Sequence, residues 1–195
     1  MWQQTYEAPK IEGNWQLVNF SGSNAMRLFS LKQLQKTFLA AALLLFLALP
    51  CIGETFTGKV VKVTDGDTIS VLHQGRPEKV RLAEIDCPER GQAFGKKSKE
   101  FASSITAGKI VRVEVRTVYR YGRTVGEVFL ANGESLNRLL VKEGYAWWYR
   151  KYSSDISIGE LEAEAREGKR GLWFGENPMP PWEWRSLKRQ RKKYQ

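Results

Sequence analysis

The stretch that decides the fold is residues 55–89, which read TFTGKVVKVTDGDTISVLHQGRPEKVRLAEIDCPE. Three segments of it, at 55–64, 68–73 and 78–85, are rich in Val, Ile and Thr with rough apolar alternation, which is typical of β-strands. The DGD triplet at 65–67 and the QGRP segment at 74–77 are turn signals between them. The stretch therefore predicts three consecutive strands joined by tight turns, followed by a charged loop.

The rest of the second half alternates between further strands and helices. Residues 109–118 (KIVRVEVRTV) place apolar and charged side chains on opposite faces, and 123–130 form another strand pattern. Helical spacing predicts helices over three ranges: 95–107, 134–143 and 157–169, the last beginning with a capping box of Ser157 and Glu160. This order predicts a mostly-β α+β fold, a five-stranded OB-fold-like barrel with three packed helices.

The N-terminal quarter has a different composition. Residues 37–53 contain no charged residue and follow Arg27, Lys32 and Lys36, which is the pattern of a signal peptide beginning at Met26 and cut near 53/54. Residues 1–53 are thus predicted to be an N-terminal extension and signal peptide. An uncleaved membrane anchor is the alternative, although 17 apolar residues fall short of a comfortable bilayer span.

Composition narrows the classes of partner and site. The chain has 31 Lys and Arg against 21 Asp and Glu, a net charge of +10, which suggests an acidic partner such as nucleic acid or an anionic membrane surface. A chain with seven Trp and 42% hydrophobic residues is not wholly disordered. Its two Cys are too few for a disulfide framework, and its single His is too few for a His-based zinc site. Half of the excess charge lies in residues 182–195, which we predict to be a flexible basic C-terminal tail.

Four patches carry residue types suited to chemistry. Asp65 and Asp67 flank a glycine in a tight turn, where carboxylates can converge on a hard cation or simply cap a hairpin. Arg81 and Arg123 offer planar forks that suit phosphate, though each also fits an exposed turn or strand end. The run YAWWYRKY at 145–152 can stack bases or fill the space between a helix and the barrel.

Taken together, these patches favour phosphodiester cleavage. This reaction needs a pair of acids to hold a metal, two arginines to stabilise the charge of the transition state, and a further carboxylate, here Glu89, to activate water. The only His, His73, stands in a strand beside a turn, and Cys87 precedes a proline with no His nearby. Neither residue therefore forms a nucleophile system, and both are interpreted as structural.

Five motifs follow one another along the chain: DGDT, RLAEIDCPE, YGR, a Gly-Tyr-Ala-aromatic segment and EAREGKRGLW. In this order and over residues 57–174, the sequence resembles the staphylococcal nuclease family. The resemblance implies a five-stranded OB-like barrel with three helices over a nuclease domain at 54–181. It also implies a metal site for Ca²⁺. The carboxylates of Asp67 and Asp86 are the ligands, with the backbone carbonyl of Cys87, where the family often has Thr. Asp65 shapes the outer shell.

The resemblance implies roles for the substrate-facing residues as well. Arg81 and Arg123 match the phosphate-binding arginines, and Glu89 matches the residue assigned as general base. Tyr121 and Tyr152 match tyrosines that contact nucleotides. One difference concerns the loop after Glu89, RGQAFG, which is shorter than in the best-known member of the family. In the family, that loop helps to hold the glutamate.

The function implied is a Ca²⁺-dependent endonuclease that cleaves DNA and RNA with little sequence specificity and leaves 3′-phosphates. The alternative is a catalytically weak OB-like module that binds nucleic acid. No protein partner is implied, and a barrel of this size can work as a monomer. Signal cleavage places the protein outside the cell or in the periplasm. If residues 37–53 are uncleaved, it is anchored to the membrane and faces outward.

Overall fold

The computed structural model describes residues 33, 36, 38, 39, 53–119 and 122–194. The chain divides into two compact units, Met1–Cys51 and Ile52–Gln195, and the four described positions of the first unit are helical. Almost all of the predicted signal peptide therefore lies outside the described residues, and its cleavage stays a prediction. Within the described part, no helix has the length and apolar character needed to cross a membrane.

The second unit follows the predicted order of strands and helices and adds elements that the patterns did not indicate. Its described elements are β1 (Thr55–Asp65), β2 (Thr68–His73), β3 (Arg76–Leu82), β4 (Ile85–Asp86), α1 (Gly95–Thr106), β5 (Ile110–Val118), β6 (Thr124–Phe129), α2 (Leu136–Lys142), β7 (Trp147–Trp148), α3 (Ile156–Glu167), a 3-10 helix (Gly171–Phe174) and α4 (Pro181–Lys193). The five predicted strands and three predicted helices are confirmed, with bounds that differ by a few residues.

Five strands close into a barrel in the order β1-β2-β3-β6-β5, which confirms the predicted architecture. Every neighbouring pair is antiparallel except β3 with β6, which run parallel from Val80 opposite Thr124. The barrel interior is filled by buried β-branched and Leu side chains, among them Ile69, Val71 and Val113. These come from the alternating segments, because period-two alternation sends one set of side chains inward.

The helices cover the barrel and extend its core. Leu136 and Leu140 on α2 and Ile158 on α3 are buried against the barrel residues in one continuous apolar cluster. A small second sheet pairs β4 with β7, so that Asp86 lies opposite Trp147. This pairing brings the loop after β4 next to the aromatic segment at 145–152.

The C-terminal segment corrects the prediction of a flexible basic tail. Residues Pro181–Lys193 form α4, a fourth helix, which begins with Pro at its first position, where the missing N–H costs nothing. Pro181 is buried, and the Trp182 ring stacks parallel to Tyr149 with centroids 5.5 Å apart. Ahead of the helix, the Gln92 side chain donates a hydrogen bond to the Met179 carbonyl at 2.7 Å. The aromatic packing and this hydrogen bond attach α4 to the barrel unit.

The start of α3 differs from the predicted capping box. The N-cap is Asp155, whose carboxylate accepts a hydrogen bond from the Ser157 amide at 3.0 Å. Arg138 on α2 donates to the same carboxylate at 3.1 Å. Asp155 therefore caps α3 and links it to α2, and Ser157 is inside the helix.

Replacing Asp155 with Ala is expected to destabilise the fold by about 1 kcal/mol, a loss of about 3 °C in Tm, because the cap and the contact with Arg138 disappear. The hydrogen bond from the Ser157 hydroxyl lowers the pKa of Asp155. Its stabilising contribution is therefore present at neutral pH and is lost as the pH falls through its folded pKa. The difference in Tm between the two proteins should shrink below about pH 4.

The matched control is Glu160→Ala, which removes the exposed carboxylate of the predicted capping box. Thermal unfolding followed by circular dichroism should show almost no change for this variant. A loss as large as that of Asp155→Ala would mean that Ser157 and Glu160 cap the helix after all.

Candidate active site

A cavity of about 700 Å³ opens where the turn between β1 and β2, the end of β3 and the loop after β4 meet. Its lining includes eight of the predicted site residues: Asp65, Asp67, Arg81, Asp86, Cys87, Glu89, Arg123 and Tyr152. The ninth, Tyr121, lies outside the described residues, so its predicted contact with nucleotides stays a prediction. The structure therefore gathers residues that are up to 87 positions apart in the chain into one concave surface.

The acidic turn reaches the cavity because of two local features. A β-bulge between Val63 and Asp65 distorts the end of β1, and bulges of this kind re-aim the side chains that follow. Gly66 then packs so closely on α1 that an added Cβ would lie 2.0 Å from the Ser98 hydroxyl and 2.9 Å from Cys87. Only glycine fits there, and this close approach fixes the positions of both flanking carboxylates.

Asp67 is almost fully buried and is partly satisfied by hydrogen bonds. Its Oδ2 accepts from the Cys87 amide at 2.7 Å and its Oδ1 from the Thr68 hydroxyl at 3.2 Å. Burial raises the pKa of Asp67 to about 7, opposed by the attraction of Arg81 and reinforced by the repulsion of Asp65. This carboxylate is costly to hold in its charged form, and a nearby positive charge would stabilise it.

Arg81 supplies one such charge between two carboxylates. Its guanidinium forms an ion pair with Asp67 through Nη1 and with Asp86 through Nη2, the latter at 2.8 Å. Burial disfavours the charged form, but the attraction of Asp67 and Asp86 outweighs it and raises the pKa of Arg81. The arginine therefore stays charged at the floor of the cavity.

Glu89 lies on the rim of the cavity in the loop after β4. Its backbone amide donates to the Gln92 side-chain oxygen at 3.0 Å, and its carbonyl accepts from the Gln92 amide at 2.9 Å. The Glu89 side chain is 41% exposed, in contrast to Asp86, which is 1% exposed. A carboxylate that is open to solvent and aimed into a cavity is suited to accepting a proton from water.

Arg185 on α4 reaches the same carboxylates and was not singled out from the sequence. Its Nη1 donates to Glu89 Oε1 at 2.8 Å and to Asp86 Oδ1 at 3.2 Å, while Nη2 donates to Asp86 Oδ2 at 2.6 Å. Hydrogen bonds to Asp86 and Glu89 raise the pKa of Arg185 against the opposing effect of burial. Two features of the sequence could have indicated the helix that carries Arg185. Pro180 and Pro181 favour a helix start, and Trp residues that can pack on the barrel follow directly.

The remaining predicted residues line the outer part of the cavity. The Arg123 guanidinium lies over the Tyr119 ring at 5.3 Å, and among the described residues no carboxylate pairs with it. Tyr152 is 59% exposed and packs edge-on against Tyr149, with ring centroids 4.8 Å apart. Tyr149 also lines the cavity, whereas Trp147 of the same aromatic run is buried in the core.

Neither His73 nor Cys87 is set up as a nucleophile. His73 Nδ1 donates a hydrogen bond to Glu78 Oε2 at 3.0 Å and its ring stacks on Phe56, outside the lining of the cavity. Burial raises the pKa of the Cys87 thiol well above its ordinary value, with the Asp67 charge adding to the effect. A thiol of this kind is a poor nucleophile at neutral pH.

The described residues contain no group of three or more His, Cys, Asp or Glu side chains arranged as a metal centre. The oxygen donors nevertheless fit a hard cation. Within the described residues, Asp65 Oδ1 is buried and makes no hydrogen bond by geometry, which is costly unless a further group satisfies it. Asp86 Oδ2 accepts one hydrogen bond, from Arg185, and each carboxylate oxygen has about two lone pairs. Both oxygens therefore retain capacity for a cation such as Ca²⁺.

Comparison with known proteins gives a consistent result. A family model described as staphylococcal nuclease homologue matches residues 79–175. An uncharacterized endonuclease of Escherichia coli O157:H7 is 41% identical over 139 residues, which cover 71% of this chain and 91% of that protein. A micrococcal nuclease of Shigella flexneri is 41% identical over 156 residues, covering 75% and 89%. Helix α4 lies beyond the end of the family match.

Proposed function

The chain belongs to the staphylococcal nuclease family, and from that premise we propose that it is a Ca²⁺-dependent endonuclease acting on DNA and RNA. That it is a nuclease follows from the family and from the nucleases among its relatives. The observation that best supports the proposed mechanism is the buried Arg81 between Asp67 and Asp86, in one cavity with Glu89.

We assign the metal to the acidic side of this cavity. Asp67, Asp86 and the Cys87 carbonyl would hold Ca²⁺, with Asp65 in the outer shell. When bound, the ion neutralises negative charge on a phosphate oxygen. The orphaned Asp65 oxygen and the free capacity of Asp86 support this assignment.

The arginines and the glutamate carry the rest of the proposed mechanism. Arg123 has no carboxylate partner among the described residues, so its fork is free to bind a phosphate. Arg81 is held rigidly by its two ion pairs and can stabilise charge that develops during the reaction without first reorganising. Glu89 accepts the proton of the attacking water, because its carboxylate is exposed to the cavity.

We assign contacts with the flanking nucleotides to tyrosine side chains. Tyr149 and Tyr152 line the cavity, and Tyr152 presents most of its ring to solvent. An exposed aromatic face stacks on any base, which is consistent with low sequence specificity. Release of a 3′-phosphate is proposed on the family resemblance and requires that the bond to the 5′ oxygen of the leaving strand breaks.

The proposal is tested by cleaving 5′-labelled single-stranded DNA and RNA of matched sequence in the presence of Ca²⁺. We expect cleavage of both at many positions, with products that shift in mobility when a 3′-phosphatase removes the terminal phosphate. Products that are insensitive to the 3′-phosphatase would contradict the proposal that the bond to the 5′ oxygen is the one that breaks. Binding without cleavage would favour the alternative of a nucleic-acid-binding module.

We also propose that the protein acts as a monomer outside the cytoplasm, after cleavage of the signal peptide near 53/54. N-terminal sequencing of the protein recovered from culture medium or periplasm should give Glu54 or a close neighbour as the first residue. Recovery of the intact chain in the membrane fraction would support the alternative of an uncleaved anchor. Sedimentation analysis should give the mass of a single chain.

A further inference from the structure

Helix α4 is held firmly beside the active-site cavity by contacts near its first turn. Gln92 is 8% exposed, and its side chain donates to the Met179 carbonyl just ahead of the helix. Trp182 stacks parallel to Tyr149 and meets Trp147 edge-on with centroids 5.6 Å apart. Because these contacts come from the loop after β4 and from the aromatic segment at 145–152, the first turn of α4 has a fixed position relative to both.

That position brings one cation, Arg185, into contact with two carboxylates of the site. Three hydrogen bonds of 2.6 to 3.2 Å connect its two terminal nitrogens with Glu89 and with both oxygens of Asp86. A guanidinium is planar and presents its N–H groups in a fixed fork. When one fork bridges two carboxylates, it sets the distance and the orientation between them.

Glu89 needs such a restraint more than the other acids of the site. Its side chain is 41% exposed, and among the described residues Arg185 is the only side chain that contacts its carboxylate. The Gln92 side chain holds the Glu89 amide and also binds the Met179 carbonyl. The loop that carries Glu89 and the segment that leads into α4 are thus restrained by the same residue.

We propose that Arg185 is a positioning residue of the nuclease site, holding the Glu89 carboxylate in a fixed place relative to Asp86. The C-terminal extension beyond the family match is then part of the active site, because Arg185 holds the Glu89 carboxylate while Gln92 holds only the Glu89 backbone. This inference rests on the proposed function, since it assigns Glu89 as the base.

The arrangement is compatible with a cation bound at Asp86. Asp86 Oδ1 accepts hydrogen bonds from Arg81 and Arg185, which use its two lone pairs. Among the residues that the structure describes, Oδ2 accepts from Arg185 alone and retains one lone pair. Arg185 can therefore keep its contact with Glu89 while Ca²⁺ occupies the remaining acceptor.

The kinetic test replaces Arg185 with Gln and with Lys in the full chain. Arg185→Gln is expected to lower kcat on single-stranded DNA by about 10- to 100-fold with KM changed less than about threefold, because a misplaced base affects the chemical step. Arg185→Lys should lie between this variant and the wild type, since an ammonium can contact one carboxylate but cannot bridge two. Lys188→Gln, which removes an exposed cation from the same helix, should leave kcat unchanged.

A second measurement does not depend on cleavage. Crystal structures of the wild type and of Arg185→Gln, each with Ca²⁺, should show the Arg185 contact with Glu89 retained in the wild type. In the variant, the Glu89 carboxylate should occupy more than one position while α4 stays docked. If Arg185 leaves the cavity when Ca²⁺ binds, it competes with the metal, and the proposal is wrong.

The outcomes separate this inference from the proposed function. A wild-type protein that fails to cleave with Ca²⁺ overturns the proposed function, whatever the structures show about Arg185. If the wild type is active, a kcat for Arg185→Gln that equals or exceeds the wild-type value overturns the positioning role. A loss confined to KM would also overturn it, because it would assign Arg185 to substrate binding.

Discussion

Replacing Glu89 with Gln is expected to lower kcat on DNA by about a thousandfold, within the range that a general base contributes. Gln keeps the size of the side chain and can still accept a hydrogen bond from Arg185, so the fold and the Ca²⁺ affinity should change little. It cannot take a proton from water. Steady-state kinetics at saturating Ca²⁺, with KM measured in parallel, should place nearly all of the loss in kcat.

The control for this experiment is Glu84→Gln. Glu84 lines the same cavity, but its carboxylate accepts a hydrogen bond from Ser153 at 3.2 Å and forms no ion pair with an arginine in the described part of the chain. The control should retain wild-type kcat within about twofold. If Glu89→Gln cleaves at the wild-type rate, Glu89 is not the base, and the inference on Arg185 loses its foundation.

Replacing Arg81 with Met is expected to affect both activity and stability. The substitution breaks a buried pair, which typically costs about 3–5 kcal/mol, because Asp67 and Asp86 remain buried without this cation. In a chelator, Tm should fall by about 10 °C. Adding Ca²⁺ should recover a large part of this loss, because the ion supplies positive charge to the same carboxylates, while kcat stays about 100-fold or more below wild type.

The control is Lys96→Met, which removes the cation of an exposed pair with Glu100 on α1. An exposed pair contributes less than about 1 kcal/mol, so Tm should change little with or without Ca²⁺. A wild-type Tm for Arg81→Met in chelator would show that Arg81 does not compensate the buried acids. A loss of Tm that Ca²⁺ does not reduce would argue against a metal at these carboxylates.

The sequence was sufficient to predict the barrel because its strands alternate between apolar and polar residues, most regularly in β5. In β5, Val111 and Val113 point to the core while Arg112 faces solvent. This two-residue period can be recognised in the sequence without knowledge of the surrounding fold. The site could be predicted in part for a related reason. Asp65 and Asp67 flank the glycine of a turn, and Arg81 to Glu89 span the end of one strand and the next loop. Most residues of the candidate site therefore belong to short motifs that are visible in the sequence.

The missed features depend on contacts that no local pattern encodes. Arg185 is 99 positions from Asp86 and 96 from Glu89, and its basic surroundings are typical of a solvated tail. The strands β4 and β7 contain two residues each, which is too short for a period to appear. The cap of α3 was misplaced by two residues, because both Asp155 and Ser157 are good N-cap residues and only the fold decides between them.

The central claim is that this cavity cleaves nucleic acid with the help of Ca²⁺. The most direct measurement is the initial rate of cleavage of single-stranded DNA by the purified protein, first with Ca²⁺, then with excess chelator, and again after Ca²⁺ is restored. We expect rapid cleavage with Ca²⁺, loss of more than about 99% of the rate in chelator, and full recovery when Ca²⁺ is restored. A rate that is unchanged by the chelator, or no cleavage under any of the three conditions, would contradict it.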